Sequence, residues 1–107
     1  MVCFGEPEAL MKPSEILAAK ADEVRAVIAR YPVRNPRIFG SVARGEDEDG
    51  SDLDILVEPL RGTTYLTLAK LQLELEALLG VAVDIATPGA IGPRLQERVS
   101  RDLRPLL

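Results

Sequence analysis

At 107 residues, 47% of them apolar and 28% charged, the chain is long enough for one domain with a single core and too short for a separate substrate domain. Its net charge of −4 opposes non-specific nucleic-acid binding, which relies on Lys and Arg against phosphate. No apolar run approaches the roughly 20 residues of a membrane-spanning helix, and a single cysteine, Cys3, excludes an internal disulfide and fits a reducing cytoplasm.

Met1 to Leu10 lack a charged n-region and a long apolar h-region, so no secretory signal is expected. Residues 1–13 are expected to form a poorly ordered extension ahead of one domain over 14–107. Pro13-Ser14 supplies a helix cap with Glu15 in the first turn, and Leu17, Ala21, Val24, Ile28 and Tyr31 then recur with helical spacing up to Pro32. Pro36 restricts the next strand to 37–39, which delivers Gly40-Ser41 at its end. Residues 41–44 read as one helical turn closed by Gly45. The acids Glu46, Asp47, Glu48 and Asp49 read as a solvated loop, since no apolar residue frames them.

A strand over 53–57 carries apolar residues on both faces and is expected to be buried on both. Pro59 and Gly62 precede a helix over 64–79, whose apolar stripe is Leu68, Leu71, Leu75, Leu78 and Leu79, with Gly80 ending it. Residues 81–86 form a short strand, 88–93 a turn, and a last helix follows with Leu95, Val99 and Leu103 toward the core. Arg94, Arg98, Arg101 and Arg104 recur at helical spacing, but Glu97 and Asp102 interleave with them, and they read as a solvated face. The order of elements predicts an α+β (mixed α/β) domain, a small mixed sheet with helices packed against it.

The chemistry concentrates in Gly40-Ser41, ten residues, then Asp52-Leu53-Asp54, with a third acid, Asp84, between Val83 and Ile85. Residues two apart on a strand share a face, roughly 6.6 to 7 Å apart along it, so Asp52 and Asp54 can converge on one point. Carboxylates with no His or Cys nearby suit Mg²⁺, which completes its shell with water and substrate phosphates. Gly40 allows close backbone approach to a ligand, and Ser41 at a helix start offers a hydroxyl and free N–H groups to an anion. Arg44 on the same turn either neutralises triphosphate charge or pairs with the acidic loop. If the strand ending at Phe39 and the strand beginning at Leu53 pair antiparallel, the phosphate grip sits beside the metal ligands, and Asp84 must come from the neighbouring strand. Three carboxylates and a triphosphate could then bind two Mg²⁺ about 3.5 to 4 Å apart. A lone Gly-Ser is a common turn and a lone Asp-x-Asp often begins a strand, so the reading rests on the three features occurring together.

The segment Phe39-Gly40-Ser41-Val42-Ala43-Arg44-Gly45, followed by Ser51-Asp52-Leu53-Asp54-Ile55-Leu56-Val57, resembles the G-S-x₁₀-D-x-D signature of the DNA polymerase β-type nucleotidyltransferase superfamily. Over residues 14–107 the chain is most similar to the minimal nucleotidyltransferase domains, antitoxin partners of HEPN-domain toxins. The resemblance implies a polymerase β-type nucleotidyltransferase fold, metal ligation by Asp52, Asp54 and Asp84, and nucleotide phosphate contact by Gly40 and Ser41. It also implies Mg²⁺-dependent transfer of AMP from ATP to a tyrosine of the partner toxin. A domain without a substrate subdomain suits an acceptor that arrives as a protein, and an acidic one suits a basic RNA-cutting partner. Two other readings stand beside this: an antitoxin that neutralises by binding alone, and a transferase acting on a small molecule, against which the chain's size argues. A homo-oligomer is compatible with either.

Overall fold

The computed structural model describes residues 12–48, 50–90, 97, 99–101 and 103–105. The expected extension falls almost wholly outside these residues, as do Arg94, Leu95 and Arg98. The elements are α1 (Pro13–Ala19), α2 (Ala21–Ala29), β1 (Val33–Phe39), α3 (Gly40–Arg44), β2 (Leu53–Pro59), α4 (Tyr65–Leu79), β3 (Val83–Ala86), a 3₁₀ turn (Pro88–Ala90) and β4 (Arg104–Pro105).

The first helix differs from the sequence reading in two ways. Its cap is Lys12, with Pro13 at the first helical position, where a missing N–H costs nothing. Glu15 Oε1 accepts the Lys12 N–H at 2.8 Å, and the Ser14 N–H donates to Asp47 Oδ2 at 2.9 Å. The helix is also broken at Lys20 (φ −115°, ψ 26°), so that α1 and α2 replace one continuous rod. From this break the Lys20 ammonium reaches the Leu78 carbonyl at 2.9 Å, a cation at the C-terminal end of α4. Tyr31 lies past the end of α2, and its hydroxyl donates to Glu74 Oε1 at 2.6 Å; Arg30 pairs with the same carboxylate.

Among the described residues the strands lie in the order β3-β2-β1-β4. β1 and β2 are antiparallel, with Phe39 opposite Asp54, and β2 and β3 are parallel, with Asp54 opposite Asp84. α4 makes the crossover that a parallel pair requires. Its cap is Thr64, whose Oγ1 accepts the Thr67 N–H at 3.2 Å, and it ends at Gly80 in the left-handed conformation, φ 73°.

Pro36 does not end β1, as the sequence reading expected. The strand runs on to Val33 through an irregularity between Arg34 and Arg37, where Asn35 adopts φ +52°. A bulge is a place where a residue without an N–H costs no ladder bond, and Asn tolerates the left-handed region better than most residues. The Asn35 Nδ2 donates to Glu58 Oε2 at 2.9 Å across the bulge. The two-residue β4 was not legible in the sequence. It pairs with β1 through Arg37–Pro105 and Ile38–Arg104, so Arg104 belongs to a strand rather than to a helical row.

β2 is buried on both faces, as expected. Leu53, Ile55 and Val57 join Ile16, Val24, Ile28, Leu71, Leu75 and Leu79 in the main core under α1, α2 and α4. Leu56 faces the other way, against Val99, Phe39, Ala86 and Leu103. The helical residues Glu97 and 99–101 thus bring Val99 onto the face of the sheet that also carries Asp54.

Candidate active site

The pleat sorts β2 into two sets. Leu53, Ile55 and Val57 point into the main core, which leaves Asp54 on the opposite face and Asp52 just ahead of the strand on the same side. The parallel register sets Asp84 beside Asp54 on the adjacent strand. The antiparallel register sets the end of β1 beside Asp54 on the other side, and the chain turns there into α3. The antiparallel pairing and the neighbouring acidic strand are therefore as expected, and the helical turn expected at 41–44 begins one residue earlier, at Gly40.

Asp54 is half-buried, while Asp52 and Asp84 are exposed. Burial raises the Asp54 carboxyl from 3.8 to about 6, and the Asp84 and Asp52 carboxylates push it the same way, with Arg44 opposing them. Three acids thus share one electrostatic neighbourhood.

Gly40 closes the site from the side. It adopts φ +75°, and a β-carbon placed on it would collide with Asp54 Oδ2 and stand 3.3 Å from Asp54 Cγ. Only a residue without a side chain lets the backbone run this close to the carboxylate. Ser41 follows in the first turn of α3, half-buried, and its carbonyl accepts the Glu46 N–H at 2.9 Å. Arg44 takes the second of its two expected roles, pairing with the acidic loop. Its Nε donates to Glu46 Oε1 at 2.7 Å, in the acidic loop, and its charge acts on Asp54.

Among the described residues no group of three or more His, Cys, Asp or Glu side chains is drawn together tightly enough to hold a metal ion. The donor set nevertheless fits a hard divalent cation: the candidate ligands are all carboxylates, and a bound cation would offset both the burial that chiefly raises Asp54 and the smaller repulsion from Asp84 and Asp52.

Two acids escaped the sequence reading. Asp47 is not solvated as Glu46 and Glu48 are; it is 4% exposed and caps α1 from 33 residues away. No sequence signal marks a cap supplied from so far along the chain. Glu76, half-buried on α4, accepts the Val83 N–H at 2.9 Å beside Asp84. An acid in the last turn of a helix, against the helix dipole, is the signal that could have drawn attention to it.

Residues 23–106 match the family described as "Nucleotidyltransferase domain". A Methanocaldococcus jannaschii protein named "Putative protein adenylyltransferase MJ0435" is 42% identical over 73 residues, covering 68% of this chain and 78% of the relative. A solved structure described as a "putative minimal nucleotidyltransferase" superposes with a TM-score of 0.76 at 47% identity, over 86% of this chain and 94% of that one. The fold is also that of a chain in the complex of tri-AMPylated Shewanella oneidensis HEPN toxin with its MNT antitoxin. There the TM-score is 0.61 at 19% identity, over 88% of this chain and 71% of that one. No helix among the described residues is long and apolar enough to cross a membrane.

Proposed function

The chain belongs to the nucleotidyltransferase domain family, and from that premise we propose that it transfers AMP from ATP to a tyrosine hydroxyl of a HEPN-type toxin, for which it is the antitoxin. The observation that carries this reading is the register that brings Asp54 beside Asp84, with Asp52 two residues ahead and the Gly40 backbone against the Asp54 carboxylate. The adenylyltransferase name of the relative supports the donor and the class of acceptor. The MNT antitoxin and AMPylated HEPN toxin of the structural neighbour support the partner. The single cysteine is in keeping with a cytoplasmic setting.

Asp52, Asp54 and Asp84 would hold two Mg²⁺, which when bound supply charge neutralisation at the triphosphate. Gly40 and the N–H groups at the start of α3 receive the phosphates, with the Ser41 hydroxyl as a further donor. Arg44, released from Glu46, neutralises part of the triphosphate charge. The acceptor oxygen attacks the α-phosphorus, the bond from that phosphorus to the bridging oxygen breaks, and pyrophosphate leaves with the bonding pair. The hydroxyl proton passes to a carboxylate oxygen of Asp84, an exposed acid on β3 that can face an incoming acceptor.

Asp84→Ala tests the division of roles. Transfer is expected to fall by at least about 100-fold, with the affinity for a non-hydrolysable ATP analogue in Mg²⁺ retained within about three-fold. Full activity in that variant contradicts the assignment.

A further inference from the structure

Glu76 lies behind the sheet from the standpoint of a substrate, yet it ends a hydrogen-bond chain that runs through both acid-bearing strands. The Leu53 N–H, part of the peptide that joins Asp52 to Leu53, donates to the Ala82 carbonyl at 2.9 Å. That carbonyl shares a rigid peptide plane with the Val83 N–H, which donates to Glu76 Oε2 at 2.9 Å. The backbone carbonyl of Glu76 accepts the Gly80 N–H at 2.8 Å, so the close of α4 and the entry to β3 are fixed on the same residue. Asp84 is the next residue after Val83.

The helix gives no electrostatic reason for an acid at this place. The last turn of α4 carries no basic residue, and the dipole disfavours negative charge there. What Glu76 gains is a charge-assisted bond to a partly buried amide, and bonds linked in series polarise one another. We propose that Glu76 is the positioning residue that fixes Asp84 against Asp52 and Asp54, by clamping the Ala82–Val83 peptide between α4 and β2. This rests on the nucleotidyl-transfer reading of the site. Glu76 does not touch substrate. It holds the peptide whose carbonyl is anchored by the Leu53 N–H, between Asp52 and Asp54.

The test compares Glu76→Ala and Glu76→Gln with Thr64→Ala, which removes the cap at the opposite end of the same helix. A purely structural role predicts little change in Glu76→Ala, since Ala is the better helix former and the substitution removes an acid from a helix C-terminus. The clamp predicts that kcat for AMP transfer falls by about 10- to 100-fold, the range seen when a group that orients reacting residues is lost. Because Asp84 acts on the acceptor side, KM for ATP stays within about two-fold. Glu76→Gln, which keeps an oxygen at the same reach, restores kcat to within about three-fold of wild type, and Thr64→Ala leaves it unchanged. In hydrogen exchange the Val83 and Leu53 amides lose protection in Glu76→Ala and regain it in Glu76→Gln.

A kcat within about two-fold of wild type in Glu76→Ala, an equal loss in Thr64→Ala, or no recovery in Glu76→Gln overturns the proposal. If the wild-type protein transfers no nucleotide, the reading of the reaction fails instead. The clamp is then decided by amide exchange alone, and unchanged protection of Val83 in both Glu76 variants overturns it.

Discussion

Gly40→Ala separates stability from activity at the point where the backbone meets the Asp54 carboxylate. Two costs are built into the geometry. The first is conformational: at φ +75° a non-glycine residue loses about 1–2 kcal/mol relative to its preferred region. The second is steric. The new methyl would stand 3.3 Å from Asp54 Cγ and overlap Oδ2, and relieving the overlap requires the carboxylate to move by roughly 1 Å, since carbon contacts settle near 3.5–4.0 Å. The end of a side chain can swing at small energetic cost, so the fall in stability should stay close to the conformational figure, about 1–2 kcal/mol, or a few degrees in thermal midpoint for a domain of this size. Activity should suffer far more, because displacing a reacting group by about 1 Å can cost on the order of 100-fold. Radiolabelled AMP transfer measured well below the melting transition, beside a melting curve of the same sample, reads both quantities. Wild-type kcat/KM in a folded Gly40→Ala variant would refute the claim that the close approach of Gly40 sets the position of Asp54.

Asp54 also gives a pH signature. Its folded value of about 6 lies above its ordinary 3.8, so the folded state binds the proton more tightly; the associated stability is full below about pH 3.8 and is lost as pH rises through 6. At face value the shift is worth about 3 kcal/mol, and solvent screening of a half-buried group reduces this to roughly 1–2 kcal/mol. Without divalent cations, the stability of wild type relative to Asp54→Asn should therefore decline between pH 4 and 6.5 in denaturant titrations, roughly the span between the two values. A flat difference would remove the account of Asp54 as a crowded acid. Asp47→Ala deletes the cap on Ser14 and should lower stability by about 1 kcal/mol while AMP transfer stays unchanged. Leu71→Ala opens a cavity at a fully buried position under the sheet and should cost about 2–5 kcal/mol, read as a lower urea midpoint at unchanged slope.

The parts of this fold that depend on local period were legible in the sequence. The leucine spacing of α4, Gly80 at its end and the doubly apolar β2 describe a buried helix and a central strand, and the structure has both. The placement of the candidate acids was legible for the same reason. Asp52 and Asp54 take their common face from the two-residue period of a strand, and Gly40 stands where a close backbone approach requires it. What escaped the sequence depends on contacts between distant segments. Pro36 reads locally as a strand breaker, and only the Asn35 conformation and its bond to Glu58 turn it into a bulge. The helix breaks at Lys20 although its apolar period continues, and the Lys20 ammonium there bonds the end of α4, a contact between distant segments. Asp47 sits among charged neighbours that predict exposure, and its burial depends on α1. A two-residue strand such as β4 is too short to carry a period at all.

The central claim is that this chain moves AMP onto a tyrosine of a HEPN-type partner using Asp52, Asp54 and Asp84. The most direct measurement incubates the protein with Mg²⁺, α-labelled ATP and a HEPN-type candidate partner, in parallel with the Asp52→Ala/Asp54→Ala variant, and locates the label by mass spectrometry. Label on a partner tyrosine, absent with the variant and accompanied by loss of the partner's ribonuclease activity, is the expected result. Neutralisation of the partner with no label, equally strong in the variant, would contradict it and leave a protein that works by binding alone.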